Sequence, residues 1–90
     1  MTHEIVTTLG PAEIIAAATR FFGERVPNNA AFPEKQGPTW LTLRGQGGEE
    51  IALAVLPGEG GSRVRASTLF FDQAVERFLS TLPRPVPALK

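Results

Sequence analysis

"TWLTLRGQGGEEIALAVLPGEGGSRVRAST", residues 39–68, is the stretch whose reading decides the fold. Apolar and polar residues alternate in "TWLTLR" (39–44), again in "EEIALAVL" (49–56), and a third time in "SRVRASTLF" (62–70). Period-two alternation marks strands with one buried face, and "GQGG" (45–48) and the glycines 58, 60 and 61 supply the turns between them. The stretch therefore reads as a three-strand antiparallel meander.

Register follows from the demand that all large apolar side chains share one face, because a slip of one residue would send them to the other. Setting Arg44 opposite Glu50 pairs Leu43 with Ile51 and Leu41 with Leu53. Setting Leu56 opposite Arg63 pairs Val55 with Val64 and Leu53 with Ala66, on that same face. The opposite face then carries a row of Trp40, Ala54 and Arg65, a row of Thr42, Ala52 and Ser67, and Arg44 beside Glu50.

Working outward, "EIVTTL" (4–9) is rich in β-branched residues and predicts a first strand that stops at Gly10-Pro11. Pro11 suits the first position of a helix, where its missing N–H costs nothing. The helix it opens places Ile14, Ile15, Ala17, Ala18, Phe21 and Phe22 on one side. Residues 26–38, with three prolines and no sustained period, predict a long loop. At the other end Phe71, Val75, Phe78, Leu79 and Leu82 form one helical stripe, with Asp72 as the expected N-cap and Pro83 as the stop.

The predicted order is β-α-β-β-β-α, an α+β two-layer sandwich with a four-stranded antiparallel sheet (order 1-4-3-2) and two helices on one face. Residues 1–82 form a single domain, and 83–90 an extended, frayed proline-rich tail.

A strand running into "GPAEIIAAA" (10–18), a meander whose final strand opens with "GGSRVR" (60–65) and a closing helix "FDQAVERFLSTL" (71–82) together resemble the START-like helix-grip superfamily, which includes polyketide cyclase-like and lipid-binding proteins. The resemblance spans residues 4–82 and implies a similar topology. Members of that superfamily are longer, with a seven-strand sheet wrapped round a long C-terminal helix to enclose a ligand cavity. Only four strands are counted here, so no catalytic or binding residue is carried over.

Composition narrows the function classes. Nine basic and nine acidic residues cancel, which leaves no overall field to attract nucleic acid or an anionic membrane. There is no cysteine, hence no disulfide or thiol chemistry, and no apolar run approaches the roughly 20 residues that cross a bilayer. The amino-terminal "MTHEIVTTLG" lacks a signal-peptide pattern, and a cytoplasmic location is expected.

The glycine cluster at 58–61 does not match a phosphate-binding loop, since an alternating strand rather than a helix follows it. His3, the only histidine, has no partner histidine for a metal and is expected to be solvated at a frayed terminus. Glu49 and Glu50 point to opposite faces of a strand and do not share a substrate. Neither cofactor, metal nor catalytic group is expected.

Two functions remain. One is a small non-catalytic interaction module, self-associating as a homodimer through the face bearing Trp40, Thr42, Arg44, Ala52, Ala54, Arg63, Arg65 and Ser67, or through 39–44 as an edge strand. Its further partner would be an unknown protein, met by that face or by the 26–38 loop. The alternative is a reduced helix-grip pocket for a small apolar ligand, which would need open space under Phe21, Phe22, Phe78 and Leu82.

Overall fold

The structure is a computed structural model that describes residues 1–24 and 30–85. Its elements are β1 (Thr2–Thr7), α1 (Pro11–Glu24), β2 (Ala31–Gly37), β3 (Trp40–Gly45), β4 (Glu50–Gly58), β5 (Gly61–Thr68) and α2 (Asp72–Thr81). The five strands form one antiparallel sheet in the order β1-β5-β4-β3-β2.

The meander register is the one that the alternation demands. Leu43 faces Ile51, Leu41 faces Leu53, Val55 faces Val64 and Leu53 faces Ala66. All seven of these residues are buried. Gly58 pairs with Gly61, so Glu59 and Gly60 form a two-residue turn. Two constraints fix glycine there: Gly60 has a φ of 83°, and a Cβ on Gly61 would lie 2.0 Å from the Thr7 carbonyl oxygen.

The sheet has a fifth strand where the sequence predicts a loop. Residues 31–37 pair with β3 through a tight turn at Pro38-Thr39, and the remainder of the expected loop, 25–29, lies outside the described residues. β2 escapes the alternation rule because it is an edge strand with only Ala31 buried, and because its register shifts between Pro33 and Lys35. As a result β3 is an interior strand, and the expected order 1-4-3-2 becomes 1-5-4-3-2 by addition at the far edge. The first strand also starts earlier than expected, at Thr2.

Both helices lie on the side of the sheet that carries the meander's apolar residues, α1 against β2 and β3, and α2 against β1 and β5. Helix α1 begins at Pro11, and Glu13 reaches back to accept the Gly10 N–H at 3.0 Å, half of a capping box. Asp72 is not the N-cap of α2. That position falls on Phe71, whose N–H is taken by the Thr68 hydroxyl at 3.1 Å, which frees the Asp72 carboxylate for another contact.

Phe21, Phe22 and Phe78 form a triangle with ring centroids 5.3–5.5 Å apart, in the edge-on and tilted geometries that aromatic quadrupoles favour. All three are buried, as is Leu82, so the space between helices and sheet that an enclosed pocket would need is filled by side chains. The chain after α2 is tied down at its start: the Pro83 carbonyl accepts the Thr8 N–H at 3.1 Å and the buried Thr7 hydroxyl at 2.5 Å.

One-sided burial predicts one-sided sensitivity. Phe22→Ala, at the centre of the aromatic triangle, is expected to cost about 3–5 kcal/mol. Leu56→Ala, on the opposite face of β4, is expected to stay within about 0.5 kcal/mol. Paired chemical-denaturation curves measure both.

Candidate functional site

No described helix lies on the second face of the sheet, and the eight residues that the sequence places there share it. Trp40, Ala54 and Arg65 form one cross-strand row, which β1 extends with Glu4. Thr42, Ala52 and Ser67 form the next row, extended by Thr2 on β1 and by Lys35 on β2. Arg63 stands between Leu56 and Val6. Because β-strand side chains project to alternate sides, the same alternation that builds the core delivers this set to one surface.

The floor of the face is shallow. Ala52 and Ala54 present single methyl groups, while Thr42 and Ser67 add short hydroxyls. The Thr2 and Ser67 hydroxyls lie 3.0 Å apart, and the Thr42 hydroxyl donates to the Lys35 carbonyl at 3.3 Å. Trp40, 40% exposed, rises at one end and lies over Gly37, where a Cβ would fall 2.2 Å from the indole nitrogen. At the opposite end of the strands, Leu69 and Phe70 are 84% and 77% exposed in the turn between β5 and α2.

The charges on this face are largely paired. Arg44 donates from Nε and Nη2 to the two carboxylate oxygens of Glu34, at 2.8 and 2.9 Å, and from Nη1 to the Gly48 carbonyl at 2.8 Å. Its expected partner, Glu50, stands further off at 3.8 Å. Glu34 carries no signal in the sequence, because the register shift that brings this residue to Arg44 lies in a strand without alternation. The Arg44 hydrogen bonds hold the Glu34 carboxylate below its ordinary pKa. Arg65 pairs with Glu4 at 3.4 Å.

His3 is not solvated. It is a strand residue opposite Ala66, its side chain is 13% exposed, and its Nε2 lies 2.8 Å from Asp72 Oδ1 and its Nδ1 3.9 Å from Glu76 Oε2. The expectation failed because "MTHEIV" begins with polar residues, whereas the position of residue 3 in the register puts its ring under α2. The hydrogen bond to His3 lowers the Asp72 pKa, with a smaller contribution from the Met1 ammonium.

A groove lies elsewhere on the molecule. A volume of about 770 Å³ lies between the outer flank of α1 and the β2 edge, bordered by Ala12, Ala16, Gly23, Phe32 and Pro38. Among the described residues no three acidic or histidine side chains gather as metal ligands, and no helix is long and apolar enough to cross a membrane.

Compared with protein-family models, with curated proteins and with solved structures, the chain matches none.

The lowered Asp72 pKa fixes the sign of a pH effect. A carboxylate held below its unfolded value stabilises the fold above that value, 3.8, and the contribution is lost as pH falls through the folded one. Melting curves across this acid range should therefore show native protein losing more stability on acidification than Asp72→Asn. Equal losses would remove Asp72 from the account.

Proposed function

We propose that this protein is a small non-catalytic interaction module that self-associates and whose working surface is the open face of its sheet. The observation that carries this reading is the division of the sheet into two sides, one closed by both helices over a filled core and one that no described helix covers. A bare side with a floor of alanines and short hydroxyls, an aromatic rim at Trp40 and charged groups at its margins suits contact with another protein surface. Arg44 and Arg65, each already bound to a carboxylate, contribute shape and hydrogen-bonding rims more than free positive charge, which weighs against nucleic acid as the partner. The second copy expected from the sequence does not use 39–44 as an edge, since β2 occupies that position.

A second reading has one observation in its favour. The groove between α1 and β2 is of ligand size and mostly apolar, which suits a small hydrophobic molecule at the side of the helix. It lies outside the helix–sheet interior, so it differs from the enclosed cavity that the helix-grip resemblance implies. The filled triangle of Phe21, Phe22 and Phe78 favours the interaction module.

Native mass spectrometry of the intact protein at micromolar concentration tests both readings. The interaction module predicts a species of twice the chain mass of 9.7 kDa with no retained small molecule. A monomer carrying an apolar ligand would overturn it in favour of the groove, and a bare monomer would remove self-association.

A further inference from the structure

The two edges of the sheet differ in how far each is protected against pairing with another strand. An unpaired edge offers a row of main-chain donors and acceptors to any strand that approaches, and proteins blunt edges that must stay single with proline, bulges and lysine. β2 carries all three, with Pro33, the register shift between Pro33 and Lys35, and Lys35 itself. β1, "THEIVT", carries none of them, and four of its six residues are β-branched.

The hydrogen-bond parity of β1 shows which groups it presents. Met1 and Thr68 exchange both main-chain bonds, the Thr68 N–H donating to the Met1 carbonyl at 3.0 Å and the Met1 amine to the Thr68 carbonyl. Alternation along an antiparallel ladder then turns the N–H and C=O of His3, Ile5 and Thr7 toward β5, and those of Thr2, Glu4 and Val6 outward. The outward-directed N–H of Thr8, which reaches the Pro83 carbonyl, keeps the same parity. No strand pairs with this edge among the described residues.

We propose that two copies join by antiparallel β1–β1 pairing about a two-fold axis through Ile5, making one continuous ten-stranded sheet. This inference rests on the self-association reading and supplies its geometry. With Ile5 on the axis, Glu4 of each copy sits opposite Val6 of the other. The outward groups of these two pairs meet as hydrogen-bonded pairs, each exchanging two main-chain bonds, two pairs times two giving four in all. Of the other registers of the same parity, one sets Glu4 opposite Glu4, another sets His3 opposite His3, and a third, centred on Val6, sets Glu4 opposite Thr8, whose N–H is already taken by the Pro83 carbonyl.

The neighbouring side chains fit the same axis. Ile5 packs at the margin of the core, and a cleft of about 430 Å³ runs beside it between β1 and α2, with Leu79 and Ser80 on its far wall. The Ile5 pair on the axis would extend the two cores into each other through these clefts. Glu76 and Arg84 border the same cleft, so each protomer brings both signs of charge to the junction. The helices then flank the junction on one side, and the two open faces join into a single surface twice as wide.

Cysteine cross-linking tests the register, since the chain has no cysteine of its own. Ile5→Cys should form a covalent dimer under mild oxidation, because residues on the axis of a non-hydrogen-bonded pair approach closely. Ala54→Cys, at the centre of the open face, should not. Glu4→Pro removes one outward N–H without touching the β1–β5 ladder, and should halve the mass seen by sedimentation while leaving the circular dichroism unchanged. Native dimers that cross-link through Ala54→Cys and not Ile5→Cys, or a folded Glu4→Pro that stays dimeric, would overturn the β1 junction while self-association stands. A native protein that sediments as a monomer would overturn both.

Discussion

The structure depends on one constraint, that a single sheet must bury all of its large apolar side chains on one face. A domain of this size buries only roughly 60–65% of the surface that its unfolded chain exposes, so it has material for one core and no more. Leu41, Leu43, Ile51, Leu53, Val55 and Val64 are spent on that core, together with the Phe21, Phe22 and Phe78 cluster that closes it. Everything on the alternate positions is thereby committed to the other side. The open face is the necessary complement of the core.

This linkage explains why the central sheet was legible from residues alone and its margins were not. In β3, β4 and β5 buried residues alternate with open-side ones over 40–44, 50–56 and 62–68, so the alternation determined register to the residue, and Trp40, Ala54 and Arg65 fall in line as expected. β2 has solvent on nearly all of its length, and burial imposes no pattern on a strand that buries only Ala31. The same absence of pattern hid Glu34, and with it the true partner of Arg44.

The polar termini were misread for a related reason. His3 and Asp72 stand 69 residues apart, and neither has a local signal that points to the other. Their contact follows from β1 lying beside β5 with α2 folded back over the pair, a consequence of topology that periodicity does not encode. Asp72 looked like a helix cap because Asp favours that position, yet Thr68 supplies the hydroxyl that binds the Phe71 N–H and leaves Asp72 to His3. Surface contacts of this kind depend on which elements become neighbours, whereas the core depends only on which residues are apolar.

The separation of the two faces is tested most directly at adjacent residues of β4 that differ in side alone. Thermal melts of Ala52→Lys and Leu53→Lys place the same charge on the open face and in the core. Ala52→Lys is expected to melt within a few degrees of the native protein, because its side chain ends in solvent, while Leu53→Lys is expected not to fold cooperatively, because a buried, unpaired ammonium has no compensating partner. Comparable destabilisation by both substitutions would contradict it, since the second face would then be as closed as the first.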